Sequence, residues 1–158
     1  MSIRIGLGYD VHKFISNRPL VLGGITIPFD LGLEGHSDAD VLSHALVDAL
    51  LGAVAFGNIG ERFPVEKVTR FQASTTFLDT TVELLHRHGW RVANVDTTLI
   101  AEHPRLAPYI PDMRDQLSSH LKVDIEQVSV KATTSDGLGF VGRGEGIACQ
   151  AVLEKSSL

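Results

Sequence analysis

An α+β fold, with one mixed β-sheet and three helices packed on one face, is what this sequence predicts, and three observations lead there. Several short segments carry the two-residue alternation or the apolar runs of strands, while three longer ones carry helical spacing. The two kinds do not alternate regularly enough for a doubly wound sheet. The chain has 158 residues, 44% hydrophobic and 21% charged, which suits one domain with one core. Residues 1–158 therefore read as a single domain, without repeat, low-complexity tract or linker.

In the opening segment the odd positions Ile3, Ile5, Leu7, Tyr9 and Val11 are mostly apolar, and the even ones are Arg4, Gly6, Gly8, Asp10 and His12. That is strand alternation, and it sets Asp10 and His12 on one face. Leu20-Val21-Leu22 and Ile25-Thr26-Ile27 flank Gly23-Gly24, the pattern of a hairpin with a two-residue loop. Leu42, Leu46, Ala49, Leu50 and Ala53 then mark a helix over Asp38 to Phe56, with Ser37 as N-cap, Asp40 as its acidic capping partner, and Gly57 and Gly60 as terminators. A second helix spans Ala73 to His88, with Phe77, Leu78 and Leu85 inward and Gly89 as stop signal. Val92 to Ala101 reads as a strand, and Ile110, Met113, Leu117 and Leu121 mark a third helix. Strands follow at Val128, Val130 and Ala132, and at Ile147, Cys149, Ala151 and Leu153. Helices on one face leave the other face of the sheet uncovered, which favours association in a small domain.

Composition narrows the function. The formal net charge is -5 and no basic stripe is visible, so a nucleic-acid binder is not expected. Anionic small molecules stay allowed, because metals and local dipoles bind them against the global charge. The single cysteine, Cys149, rules out a disulfide within the chain and suits a reducing compartment. No apolar run approaches the ~20 residues that span a bilayer. Met1-Ser2-Ile3-Arg4-Ile5 enters strand pattern at once, without the form of a signal or transit peptide. A cytoplasmic protein that does not enter membranes is expected.

Three clusters carry chemistry. Asp10 and His12 share a strand face, while Asp40, His44 and Asp48 recur every four residues on one helical face. Two imidazoles and a carboxylate are a ligand set for catalytic zinc with a position left open, and Asp40 or Asp48 would orient a ligand from behind. The plainer alternative is a polar strand face. His36-Ser37-Asp38 stands at a helix N-terminus, where free N–H groups favour an anion; alternatively Ser37 only caps and His36 is a solvated loop residue. The stretch from Lys131 to Gly146 contains Gly137-x-Gly139-x-x-Gly142. A dinucleotide site is rejected, because a strand pattern follows where a helix is required. What remains is a glycine-rich phosphate cradle or a glycine-rich turn.

Taken together, three stretches resemble the 2-C-methyl-D-erythritol 2,4-cyclodiphosphate synthases. They are Gly8-Tyr9-Asp10-Val11-His12, then Gly35-His36-Ser37-Asp38-Ala39-Asp40-Val41 with His44, then Lys131-Ala132-Thr133-Thr134 followed by Gly139-Phe140-Val141-Gly142-Arg143-Gly144-Glu145-Gly146. The likeness covers nearly the whole chain in order, including Asn94-Val95-Asp96. It implies a metal-dependent, cyclising phosphorus–oxygen lyase of non-mevalonate isoprenoid biosynthesis. The substrate would be 4-diphosphocytidyl-2-C-methyl-D-erythritol 2-phosphate, and CMP would be released. It implies Zn2+ on Asp10, His12 and His44, and Mg2+ or Mn2+ between the substrate phosphates on Asp136. His36 and Thr134 would stabilise the transition state. The loop Ala101-Glu102-His103-Pro104-Arg105-Leu106-Ala107, with Thr133, Thr134, Ser135 and Asp136, would hold the cytidine diphosphate. Ser37, Asn58, Ile59, Gly60 and Phe63 would line the rest of the substrate site. It also implies a homotrimer with the sheets facing each other, active sites between subunits, and an axial cavity. There Phe140 and Arg143 would meet an isoprenoid diphosphate, although Arg143 pairing with Glu145 in a turn is an equal alternative.

The chain departs from the family pattern at Asn58, where the family usually has Asp, at Val65, where Asp is frequent, and at Asp136, commonly Glu. The first two departures motivate one rival, a trimeric isoprenoid-diphosphate-binding protein of the same fold with weakened catalysis; a separate alternative is an unrelated zinc phosphohydrolase, which would release free phosphate.

Overall fold

The computed structural model describes residues 2–157; Met1, at the start of the first strand pattern, lies outside the described residues. In chain order the elements are β1 (Ile3–Ile15), β2 (Leu20–Leu22), β3 (Ile25–Ile27), β4 (Gly32–Leu33), α1 (Val41–Ala53), α2 (Ile59–Arg62), α3 (Thr75–Arg87), β5 (Trp90–Ile100), α4 (Ile110–Leu121), β6 (Val128–Thr133), α5 (Gly139–Gly142) and β7 (Gly146–Ser157). The main sheet has the order β4-β1-β7-β5-β6, and β2 and β3 form a separate hairpin. Only β5 and β6 pair in parallel; β1 with β4, β1 with β7 and β5 with β7 are antiparallel. The sheet is therefore mixed, as expected, and its three long helices share one face. The short strand β4 and the single-turn helices α2 and α5 carry too few residues to show a periodicity.

Register fixes what each face does. Gly6 stands opposite Leu153, Gly8 opposite Ala151, Asp10 opposite Cys149 and His12 opposite Ile147, all on the side covered by α1. The odd positions of β1 point away from the helices, and Ile5 and Leu7 are each 69% exposed. With Ile3, Tyr9, Val11 and Val152 they make a contiguous apolar surface, which a soluble chain rarely leaves bare.

The first helix starts later than its sequence pattern. Ala39 takes φ +59°, a left-handed conformation that breaks a helix before it begins, and Asp40 is the N-cap. Its carboxylate accepts from the Ser43 N–H at 3.1 Å and from the N–H groups of Gly23 and Gly24 at 2.9 and 2.8 Å. One buried acid thus caps α1 and pins the β2–β3 hairpin to it. Ser37 is not the cap; it is a buried residue of the preceding loop. Asp40 faces the hairpin and the helix end, so it does not orient a metal ligand.

β1 and α1 meet at backbone distance. A Cβ on Gly8 would lie 1.8 Å from the Ala45 carbonyl oxygen, and one on Gly6 1.9 Å from that of Ala49. No side chain fits between strand and helix there. Gly8→Ala is expected to cost about 3 kcal/mol of stability, the upper end for overpacking a rigid contact. Denaturant unfolding at one fixed protein concentration measures it, and a loss too small to detect would contradict the close packing.

Candidate functional site

Because Gly6 and Gly8 let β1 approach α1, the next two inward residues reach the side of the helix that carries His44. Asp10 Oδ2 lies 2.9 Å from His12 Nε2 and 3.1 Å from His44 Nδ1, and the two imidazole nitrogens are 3.1 Å apart. Among the described residues this is the one group of side chains that could hold a metal ion. A tetrahedral ion with ligands at about 2.0–2.1 Å sets ligand atoms roughly 3.3 Å apart, so the triangle matches such a site closely. The outer nitrogen of each ring is held from behind: His12 Nδ1 donates to the Glu34 carbonyl at 2.6 Å, and His44 Nε2 lies 2.8 Å from Ser74 Oγ. Burial pushes the Asp10 carboxyl up, but the His12 and His44 rings beside it outweigh burial and hold it at about 2. For His12 burial acts downward, and the hydrogen bond and charge of Asp10 win, so its pKa is raised. The triad concentrates lone pairs around one point, and a cation there satisfies all three.

A cavity of about 190 Å³ opens beside His44 and is lined by His36, Ser37, Ile59, Gly60, Phe63, Val65, Val68 and Phe77. The expected residues His36, Ser37, Ile59, Gly60 and Phe63 are thus gathered beside the candidate metal centre. The His36 ring donates from Nε2 to the Val68 carbonyl at 2.7 Å, which leaves Nδ1 free to accept. Asp48 orients no ligand directly; it holds the wall of this cavity by accepting the Ile59 N–H at 2.7 Å. Burial, the largest influence, and the charge of Asp10 push its carboxyl up against that bond and the attraction of His44.

Asn58 has a local task. It caps α2 by accepting the Glu61 N–H at 3.0 Å, and its amide donates to Glu61 Oε1 at 3.3 Å. An Asp here would set two carboxylates side by side, so Asn58 is the residue that matches Glu61.

The remaining expected residues lie elsewhere. Ala101, Pro104, Arg105, Leu106, Ala107, Thr133 and Thr134 line a second cavity of about 200 Å³, together with Glu102 and Ala132. The two cavities share no residue. Asp136, at φ +56°, is exposed on the following turn, where its N–H donates to Thr134 Oγ1 at 3.2 Å, and it is not part of the metal-binding group. Sequence reasoning assigned no separate role to Glu102, whose Oε1 accepts from the Ser135 N–H at 2.9 Å and lies 3.4 Å from the Gly137 nitrogen, tying the two loops together. Phe140 lines a third cavity beside His12, and Arg143 pairs with Glu145 at 2.9 Å, as one of the two alternatives has it. Sequence reasoning also missed Ser74, and it placed Asp38 in a helix-terminal anion cluster rather than behind His44.

Fold and site together define an α+β protein with a candidate metal centre at the mouth of a small cavity. Residues 3–154 match the model of the YgbB family. A 2-C-methyl-D-erythritol 2,4-cyclodiphosphate synthase of Moorella thermoacetica is 56% identical over 155 residues, covering 96% of this chain and 93% of the relative. The synthase of Clostridium perfringens is 50% identical over 151 residues, covering 95% and 97%. Among solved structures, the bifunctional IspDF of Campylobacter jejuni superposes with a TM-score of 0.95 at 37% identity; 99% of this chain is covered, but only 43% of that longer one. IspF of Plasmodium falciparum in complex with CDP gives 0.88 at 33% identity, with 99% and 97% covered. The chain belongs to the YgbB family, that of the 2-C-methyl-D-erythritol 2,4-cyclodiphosphate synthases.

Removing one corner of the triad leaves two ligands, too few for a tight site. Protein purified without chelator is expected to carry a divalent transition metal that His44→Ala lacks. Elemental analysis of both decides, and equal metal in the two would detach His44 from the site.

Proposed function

We propose that this chain converts 4-diphosphocytidyl-2-C-methyl-D-erythritol 2-phosphate into 2-C-methyl-D-erythritol 2,4-cyclodiphosphate and CMP. The observation that carries the proposal is the Asp10–His12–His44 triangle at the mouth of a cavity, in a chain half identical to synthases of that name. An oxygen of the 2-phosphate attacks the β-phosphorus, and the bond from that phosphorus to the bridging oxygen breaks. The bridging oxygen leaves on CMP with the electron pair. The nucleophile is already an anion, so the reaction needs positioning and charge neutralisation more than a base.

Zn2+ suits the two-imidazole, one-carboxylate set, and when bound it supplies positive charge to phosphate oxygens as a Lewis acid. Mg2+ or Mn2+ is assigned to Asp136, an exposed hard carboxylate whose backbone N–H is held by the Thr134 hydroxyl. His36 and Ser37 line the cavity at His44 and are placed to receive the methylerythritol phosphate. The Ala101–Ala107 loop with Thr133 and Thr134 lines the cavity assigned to the cytidine diphosphate, in keeping with the CDP complex known for a relative. Cytoplasmic action follows from the same reading, and among the described residues no helix is long and apolar enough to cross a membrane. Released CMP distinguishes this activity from a zinc phosphohydrolase and from a binding protein. Steady turnover of the cytidylyl substrate to CMP and cyclic product is expected, falling at least about 100-fold in Thr134→Val if that hydroxyl meets the transition state. Free phosphate in place of CMP would overturn the proposal.

The substrate site also needs a second copy of the chain. Residues assigned to one substrate line two cavities without a common member, and the apolar face of β1 stands open. A homotrimer with facing sheets buries that face and joins one subunit's metal centre to another's nucleotide cavity. Light scattering at micromolar concentration is expected to give three times the chain mass. A stable monomer with full activity would defeat the shared site.

A further inference from the structure

Ser74 stands where a helix cap belongs and serves something else. It precedes α3 as its N-cap residue, yet its side chain makes no bond to the free N–H groups of that helix. A serine there ordinarily stabilises a helix by about 1 kcal/mol through that bond. Here the hydroxyl is fully buried and turned onto the metal centre, with Oγ 2.8 Å from His44 Nε2 and in hydrogen-bond contact with Asp38 Oδ1. The Ser74 N–H donates to Asp38 Oδ2 at 3.1 Å, so one carboxylate holds both polar groups of the serine.

We infer that Ser74, backed by Asp38, is a positioning residue that fixes which nitrogen of His44 faces the metal. The inference rests on reading Asp10, His12 and His44 as a metal centre. Hydrogen-bond direction carries it. An ionised carboxylate only accepts, so the Ser74 hydroxyl hydrogen points to Asp38. Ser74 Oγ then meets His44 with a lone pair, and His44 Nε2 must carry the hydrogen. That leaves Nδ1 bare to face a metal, at 3.1 Å from Asp10 Oδ2; in metal-free protein it accepts from His12 Nε2, also at 3.1 Å. Reversing the order of hydrogens would point an N–H at the metal position and leave Ser74 without its donor. Ser37 does not replace Ser74: its Oγ is 3.2 Å from His44 Nε2 and already accepts the Ala39 N–H. The same relay ties the start of α3 to the ring, and Phe77 one turn later packs near it, with centroids 6.1 Å apart. His12 is served differently, by the Glu34 carbonyl, which can only accept.

Two readouts test this besides turnover. In metal-free parent protein, long-range proton–nitrogen spectra of the histidine rings should show His44 as a single Nε2–H tautomer, and Ser74→Ala should lose that preference. In chelator competition, Ser74→Ala and Asp38→Asn should bind zinc about 10- to 100-fold more weakly than the parent, the usual effect of removing such a support. The cobalt(II) spectrum should change with them. The Ser74 side chain does not cap α3, so the circular dichroism spectrum of metal-free Ser74→Ala should show the parent's fold retained, separating a lost tautomer from a lost structure. Should Ser74→Ala not fold, Asp38→Asn carries the same readouts. Variants that keep both the tautomer and the zinc affinity of the parent would overturn the inference. A parent that binds no zinc would defeat the metal reading alone, and the tautomer comparison would still decide the role of Ser74.

Discussion

Everything at the site depends on the contact between β1 and α1. With no side chain at positions 6 and 8, the strand lies directly on the carbonyls of Ala45 and Ala49. Asp10 and His12, the next inward residues of β1, therefore reach the first turn of α1, where His44 stands. A larger residue at either glycine would hold strand and helix apart by more than the ångström or so that separates a metal-binding triangle from three unrelated polar groups. The same approach explains the composition of α1, whose residues facing the strand include Ala45, Ala49 and Ala53, all buried. Close backbone packing and metal geometry are one constraint.

That constraint concentrates unfavourable electrostatics. Two ring nitrogens and a carboxylate oxygen converge with lone pairs inward, partly out of water, and without a cation they repel. The low pKa of Asp10 and the raised pKa of His12 show how the protein responds, with shared protons standing in for positive charge. Groups behind the ligands keep the arrangement from relaxing. The Glu34 carbonyl and the Ser74–Asp38 pair leave neither ring free to turn, and the Asp40 cap fixes the start of the helix that carries His44.

What the sequence revealed followed locality. Asp10 and His12 were legible because a two-residue period states which side chains share a face, and His44 because a four-residue period does the same on a helix. The limits of α1 were less legible. Its apolar run continues past the C-terminal end through Val54 and Phe56, and at the other end nothing local announces that Ala39 would turn left-handed and pass the capping role to Asp40. Asp40 and Asp48 looked like supports for a metal because they share a helical period with His44; tertiary contacts gave one to the Gly23–Gly24 hairpin and the other to the Ile59 amide. Ser74, and the tie that Glu102 makes to Ser135, were missed for the converse reason. Ser74 lies 30 residues from His44 and Glu102 lies 33 from Ser135, and no periodicity reports on partners that only folding brings together. Family resemblance supplied the residues of the second cavity, which no pattern in this one chain would have grouped.

The separation of the two cavities gives the open sheet face its meaning. Were the whole substrate site inside one subunit, an exposed row of Ile3, Ile5, Leu7, Tyr9 and Val11 would only be an aggregation hazard. With half the expected residues at the candidate metal centre and half around the Ala101–Ala107 loop, the proposed homotrimer would use this face to bring the halves together. The strand that presents the apolar row outward presents Asp10 and His12 inward, two residues of alternation apart. In the proposed homotrimer, association through that row would position the strand, and with it Asp10 and His12. On that proposal a substitution on the outer face would act on catalysis through assembly, without touching substrate, while one on the inner face would act on the candidate metal centre within a single subunit.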